Sequence, residues 1–157
     1  MRPVFDWQIG SRSVQLGKRT LIMGIVNVTP DSFSDGGQHS DPQDALNHAL
    51  KLLDEGADIL DIGGFSTRPG VKINDAVSEA EELRRVLPVV EELRTQRPKS
   101  FISIDTFRAN IARNAIKAGA DIINDVSGFL WDKAMPKAIA DLKCGAVLMH
   151  MRGKPDE

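Results

Sequence analysis

A parallel α/β fold, with strands inside and helices outside, is what this sequence predicts, and three observations carry the prediction. Short apolar runs alternate with longer amphipathic segments through most of the 157 residues, the order that successive βα units produce. The links from helix to strand are very short and repeat: Gly56-Ala57-Asp58-Ile59-Leu60-Asp61 is matched by Gly119-Ala120-Asp121-Ile122-Ile123-Asn124, and Cys144-Gly145-Ala146 is a fainter third copy. Each expected strand also ends in polarity, at Asn27, Asp61, Asp105, Asn124 with Asp125, and His150. An open doubly wound sheet and a (β/α) barrel both satisfy this pattern. No GxGxxG follows the first strand, which weighs against the dinucleotide-binding version of the open sheet.

Residues 1–19 form a preface. Trp7, Ile9, Val14 and Leu16 flank Gly10-Ser11-Arg12-Ser13, which reads as a small hairpin capping one end of the domain, with Arg12, Lys18 and Arg19 in solvent. Leu21 to Val26 is a short apolar run, β-branched toward its end, and suits a buried parallel strand. Asp41 as N-cap and Pro42 at the first helical position signal a helix start. Ala45, Leu46, Ala49, Leu50 and Leu53 give that helix one apolar face, and Gly56 ends it. Asp58 to Ile62 is the second strand. Ser78-Glu79-Ala80-Glu81 is a capping-box pattern opening the next helix. Its apolar positions are Leu83, Val86, Leu87, Val90 and Leu93, and Pro88 is expected to kink or divide it. Phe101 to Asp105 is the third strand, followed by a helix capped by Thr106, faced by Ile111, Ala112, Ala115 and Ile116, and ended by Gly119. Asp121 to Asp125 and Ala146 to His150 are the fourth and fifth strands, with a short helix capped by Asp132 between them.

The hydrophobic fraction of 41% and charged fraction of 27% are those of an ordinary globular protein, and the length fits a single domain over residues 1–157. A net charge of −2 offers no attraction to nucleic acid or to an anionic membrane. With no Tyr and few other aromatics, the chain has little on which to stack single-stranded nucleic acid. No apolar stretch approaches the roughly 18 residues of a membrane helix, and the first ten residues lack the apolar core of a secretory signal. The single cysteine, Cys144, excludes an internal disulfide and fits a reducing compartment. The expectation is a cytoplasmic protein acting on small molecules.

In parallel α/β folds the carboxyl ends of the strands open on one face, where ligands bind. Burying an unpaired amide or carboxylate costs on the order of a few kcal/mol, so a row of such strand ends points to a site. Asn27, Asp105 and Asn124 are the stronger candidates, while a turn or capping role accounts equally well for Asp61 and Asp125. After the first strand comes a polar loop with one aromatic, Phe33, which either closes over a flat ligand or tucks under its own loop. The second loop, Gly63 to Gly70, combines glycines, the hydroxyls of Ser66 and Thr67, and the planar fork of Arg68, a set suited to a phosphate-like oxyanion. No Gly-Lys-Ser/Thr follows, so it is not a Walker loop. A site assembled from these parts handles a phosphate-like group and a flat ligand beside a carboxylate.

These segments together resemble the dihydropteroate synthases of folate biosynthesis. The resemblance rests on Gly24–Gly37, Ser66–Gly70, Ser103–Thr106, Ile123–Val126 and Leu148–Gly153, which occur in the family's order. It implies a (β/α)₈ TIM barrel, of which this chain covers about the first five strands. It also implies a transferase, and a target of sulfonamides, that joins a hydroxymethyl-dihydropterin diphosphate to 4-aminobenzoate and releases diphosphate. By resemblance Asp105 is catalytic, holding the pterin and stabilising the positive charge that develops as diphosphate leaves. Asn124 would recognise the pterin's polar edge, and Thr67 and Arg68 would contact the substrates near the reacting end. Asn27 would bind Mg²⁺ through its amide oxygen, and Phe33 and Pro69 would wall the aminobenzoate. At full length the resemblance implies a homodimer. One departure is Phe65, where the family commonly has Glu.

A complete barrel needs about 250 residues, and the resemblance places an Asp, a Lys and an Arg-x-His group in later strands that this chain does not contain. The expectation is therefore an incomplete enzyme that is inactive by itself. Two alternatives stand beside the synthase: a methyltetrahydrofolate-binding methyltransferase module, which would share Asp105 and Asn124, and a non-catalytic binding or assembly subunit.

Overall fold

The computed structural model describes residues 3–29, 42–65 and 77–151. An antiparallel hairpin, β1 (Phe5–Ile9) and β2 (Arg12–Leu16), precedes five parallel strands: β3 (Met23–Asn27), β4 (Ile59–Gly63), β5 (Phe101–Asp105), β6 (Ile122–Asp125) and β7 (Gly145–Leu148). The crossovers contain α1 (Pro42–Asp54), α2 (Glu79–Gln96), α3 (Ala109–Ala118) and α4 (Met135–Leu142). Strand order in the sheet follows chain order without reversal, and each helix packs against the next one in sequence. A doubly wound sheet reverses its order and carries helices on both faces. The two candidate architectures are thereby separated: this is the wall of a barrel.

Alternation along each strand builds two faces. Val26, Leu60, Ile62, Ile102, Ile104 and Ile123 point outward, are completely buried, and pack beneath the helices. Each such side chain contributes about 1.5–3 kcal/mol. α1 buries Ala45, Leu46 and Ala49 as its periodicity predicts, while its expected cap, Asp41, lies outside the described residues. α2 starts as the capping box requires, with Ser78 Oγ accepting from the Glu81 amide at 3.2 Å. Pro88 does not divide it, and the helix is continuous from Glu79 to Gln96. Proline withholds one N–H, the partner of the Arg84 carbonyl, and the apolar contacts of Val86, Val89, Val90 and Leu93 on both sides of it outweigh that loss. The buried stripe is also turned from the expected one: Glu82, Arg85 and Val89 are inside, and Leu83 and Leu87 only half so.

Thr106 does not cap α3, a second correction. Arg108 occupies the N-cap position without a side-chain bond. Asp132 supplies the acceptor from the next connection, taking the Ala109 amide at 2.7 Å on Oδ2 and the Ala134 amide at 2.8 Å on Oδ1. One carboxylate therefore secures the start of α3 and the turn before α4.

The repeated Gly-Ala-Asp links acquire a mechanical meaning. Gly56 and Gly119 both take left-handed backbone angles, with φ of 104° and 117°, as helix stops do. The following aspartates turn back to the neighbouring strand: Asp58 Oδ2 accepts from the Ile22 amide and Asp121 Oδ2 from the Ile102 amide, each at 2.9 Å. Arg19 pairs with Asp58, and Arg12 and Arg94 pair with Asp121 at 3.1 and 2.6 Å. Arg12 is thus not a solvated bystander, whereas Arg19 stays exposed as expected beside its partner Asp58. Arg12 also donates to the Lys99 and Ser100 carbonyls and lies 3.8 Å over the Phe101 ring. It pins the hairpin across the amino ends of the strands, where Ile9 is buried with Ile59 and Ile122. The hairpin caps one end of the sheet as expected, and an arginine clasp holds it there.

Among the described residues no helix is long and apolar enough to cross a membrane. Replacing Asp121 by Ala strands two guanidinium groups and one strand amide, and should destabilise the protein by about 2–4 kcal/mol. Arg113→Ala, which breaks an exposed pair with Asp141, should cost under about 1 kcal/mol. Urea unfolding of both variants checks this, and equal losses would remove the clasp from the account.

Candidate active site

The inner face of the sheet is arranged in tiers. Ile25, Asp61, Ser103 and Ile122 are in register on β3 to β6, and one step toward the carboxyl ends stand Asn27, Gly63, Asp105 and Asn124. The register alone therefore brings three predicted site residues, Asn27, Asp105 and Asn124, into one row. Thr67 and Arg68, with Phe33 and Pro69, lie outside the described residues.

Asp61 ties the two tiers together. Ser103 Oγ donates to its Oδ1 at 2.7 Å and Asn124 Nδ2 to its Oδ2 at 2.9 Å. Asp61 and Asn124 are equivalent positions of the repeat, 63 residues apart. Burial raises the Asp61 pKa and these two hydrogen bonds oppose the rise. An ionised carboxylate can only accept, so Asp61 dictates which end of the Asn124 amide faces it and leaves the carbonyl oxygen free for a ligand's donor. The turn reading of Asp61 is thereby replaced by an orienting one.

Asp105 stands apart from every other acid in this region. Its Oδ1 is buried and has no hydrogen-bond partner among the described residues. Beside it Gly63 leaves a gap: a Cβ there would lie 3.5 Å from Asp105 Oδ2 and 3.8 Å from Asn27 Oδ1. Burial, followed by the charges of Asp61, Glu82 and Asp125, pushes the Asp105 carboxyl up to about 7. A buried acceptor without a donor is costly, and such a group at the mouth of a barrel marks a place for a ligand's N–H.

Asp125 is not part of this row. It is fully buried, its Oδ1 accepting from the amide and hydroxyl of Ser127 at 2.7 Å and its Oδ2 from the Phe129 amide at 3.2 Å. It builds the turn after β6, where Phe129 takes a left-handed φ of 69°. His150 is exposed beyond β7.

Two groups of residues near the site were invisible to periodicity. Glu82 and Arg85 were missed because charged side chains default to solvent. Their signal was spacing, since Glu82, Val86, Val89 and Leu93 fall on one helical stripe. Phe65, Phe107 and Trp131 form a chain of edge-to-face rings, with centroids 5.7 and 5.1 Å apart, across the connections that follow β4, β5 and β6. Such pairs contribute about 0.5–1.5 kcal/mol each, which gives Phe65 a structural reason to be aromatic. A cleft of about 720 Å³ lies at the opposite end of the strands, between Val14, Lys18, Asp58 and Phe101, far from this chemistry.

A family profile described as pterin binding enzyme matches residues 23–157. The chain belongs to the pterin-binding enzymes. It is similar to the dihydropteroate synthase of Clostridium beijerinckii, at 48% identity over 148 residues, covering 92% of this chain and 52% of that protein. Its fold is similar to Xanthomonas albilineans dihydropteroate synthase with 4-aminobenzoic acid, with a TM-score of 0.83, 49% identity, and coverage of 94% of this chain and 52% of that one. The Yersinia pestis dihydropteroate synthase in a sulfonamide drug complex gives a TM-score of 0.82 at 43% identity, covering 97% of this chain and 53% of that one. The chain spans about half the length of these pterin-binding relatives.

The raised Asp105 pKa has a stability consequence. Between about pH 4, where it ionises in the unfolded chain, and about pH 7, where it ionises in the fold, the folded protein holds the extra proton. Stability from this group is present below that window and is lost as pH rises through it. Asp105→Asn, which keeps the shape without the charge, should therefore gain melting temperature on wild type as pH rises from 5 to 8. A difference that stays constant over this range would show that Asp105 ionises normally.

Proposed function

We propose that this chain supplies the amino-terminal half of a dihydropteroate synthase, which joins a hydroxymethyl-dihydropterin diphosphate to 4-aminobenzoate. The observation that carries the reading is the Asp105 carboxyl, whose Oδ1 is buried and unbonded among the described residues, in one row with Asn124 and Asn27. A pterin ring presents N–H donors and a carbonyl along one edge. Asp105 Oδ1 accepts from such a donor, and the Asn124 amide, oriented by Asp61, reads the neighbouring groups. The ligand's donors and developing positive charge favour the ionised carboxylate, drawing the Asp105 pKa back down from about 7.

In the reaction the carbon–oxygen bond to diphosphate breaks, with its electron pair leaving on diphosphate. The methylene carbon, beside an electron-rich ring, carries the positive charge, and anionic Asp105 stabilises it. The lone pair of the aminobenzoate nitrogen then forms the carbon–nitrogen bond, and the nitrogen gives up a proton. An aromatic amine is a competent neutral nucleophile, so no strong general base is required. Thr67 and Arg68 are assigned to the reacting ends of the substrates by their motif.

Asn27 fits a magnesium ion as a neutral hard-oxygen donor, its Oδ1 directed at the gap beside Gly63. Among the described residues no three His, Cys, Asp or Glu side chains cluster as a cage, so Asn27 would serve as a protein ligand alongside water and diphosphate oxygens. The metal would offset charge on the diphosphate.

Ile25 on β3 and Leu148 on β7, the two edge strands, are 62% and 50% exposed. Parallel strands require pairing and cover, and in our reading the active form is a closed barrel, with residues 1–157 inactive alone. The enzyme is read as cytoplasmic and as a homodimer at full length. The methyltransferase reading is less well supported, since the similar proteins are synthases.

The closed-barrel protein, given both substrates and Mg²⁺, should form dihydropteroate and diphosphate in equal amounts. Asp105→Asn should slow turnover by on the order of 10² or more, and Asn27→Ala should weaken the dependence of diphosphate binding on Mg²⁺. Binding of methyltetrahydrofolate without binding of the pterin diphosphate would overturn the assignment.

A further inference from the structure

Behind the strand ends, two sets of polar contacts from α2 reach three points of the chain around the site. Arg85, from α2, donates through Nη1 to the Gly64 carbonyl at 3.1 Å, immediately after β4. It is held from below by Glu81 at 2.7 Å, whose own pKa Arg84 and Arg85 pull down to about 2. Gly64 makes the approach possible: a Cβ there would lie 2.8 Å from Val86 Cγ2 and 3.2 Å from Glu82 Cγ. One turn earlier on the helix, Glu82 is 1% exposed. Its Oε1 accepts from Thr106 Oγ1 at 2.7 Å, and its Oε2 from Arg108 Nη1. The same guanidinium donates through Nη2 to the Val77 carbonyl at 2.8 Å. Gly64 immediately follows β4, Val77 lies just before α2, and Thr106 is bonded directly to Asp105.

We propose that Glu82 and Arg85 are positioning residues of the pterin site, holding Gly64, Val77 and Thr106 in place around α2 and beside Asp105. The assignment of catalytic consequences rests on the synthase reading, whereas the positioning itself does not. A fully buried carboxylate is tolerated only when charged and hydrogen-bonded partners surround it, and both oxygens of Glu82 are engaged by groups adjoining the site. An apolar residue at position 82 would pack this helix without that cost, which leaves placement of the strand ends as the gain. Glu82 also bears on Asp105 electrostatically. The acids around Asp105 are Asp61 on β4, Glu82 on α2 and Asp125 on β6; the cations of these contacts are Arg85 and Arg108.

Two readouts test this, one of which needs no turnover. Arg85→Met keeps the apolar stem and removes the bond to Gly64. Amide hydrogen exchange over residues 63–65 should accelerate by about tenfold, the equivalent of one lost hydrogen bond to a charged group, with the global melting transition retained. KM for the substrates should rise several-fold with a smaller change in kcat. Glu82→Gln keeps the shape and removes a negative charge near Asp105, so the acid limb of the pH–kcat/KM profile should move to lower pH. If that variant does not fold, Arg108→Lys retains the charge opposite Glu82 but shortens the reach to Val77, and faster exchange at residues 77–80 is expected. Wild-type exchange rates in the folded variants would overturn the positioning role whatever the reaction proves to be. Absence of synthase turnover in the wild-type closed-barrel protein, with exchange accelerated as stated in its variants, would instead overturn the synthase reading and leave the positioning intact.

Discussion

Three buried carboxylates, Asp61, Glu82 and Asp125, and the half-buried Asp105 lie within one small region at the carboxyl ends of β4 to β6 and the start of α2. Like charges in a low-dielectric setting repel strongly, and the surrounding structure can be read as the answer to that problem. Asp125 accepts hydrogen bonds from three donors of its own turn. Glu82 is matched by Arg108 and Thr106. Asp61 is shared between Ser103 and Asn124. Among the described residues Asp105 alone keeps a buried side-chain oxygen without a donor, and burial, followed by the charges of the other three, pushes its pKa up. The local instability is concentrated on one side chain, and that side chain faces the mouth of the barrel.

The scaffold holds this arrangement by dividing its labour between the two ends of the sheet. At the amino ends, arginines satisfy Asp58 and Asp121 and clamp the hairpin over the strands. At the carboxyl ends the equivalent positions of the repeat, Asp61 and Asn124, bond to each other and face inward. The same short sequence unit thus makes a structural anchor at its start and an inward-facing polar group at its end. Parallel register then sets Asn27, Gly63, Asp105 and Asn124 level with one another, a placement that no single loop conformation determines.

Much of this was legible in the residues. β5 matched its expected bounds, and the other strands fell within a few residues of theirs, because apolar runs ended by Gly and Asp carry a strong local signal. The row of strand-end residues followed from the same signal. What escaped was decided by tertiary contacts. Thr106 looked like a helix cap because it precedes one, yet a buried Glu82 competes for its hydroxyl and Asp132 reaches across to do the capping. Arg12 looked solvated because nothing local pairs with it; its partners, Lys99, Ser100 and Asp121, lie on distant segments. Pro88 looked like a break because propensity counts the lost hydrogen bond and not the packed stripe on both sides. Glu82 and Arg85 were hidden for the related reason that burial of charge is paid for by partners the local sequence does not reveal.

The central claim is that Asp105 is held close to neutrality by burial and, after it, by its acidic neighbours, and becomes an anion when a pterin-like donor reaches it. The most direct test is to follow its carboxyl carbon by ¹³C NMR as pH is varied, in the free protein and with a bound pterin. A midpoint near 7 in the free protein, moving to lower pH when the ligand binds, is the predicted result. A midpoint near the ordinary carboxylate value in the free protein, unchanged by the ligand, would contradict the account.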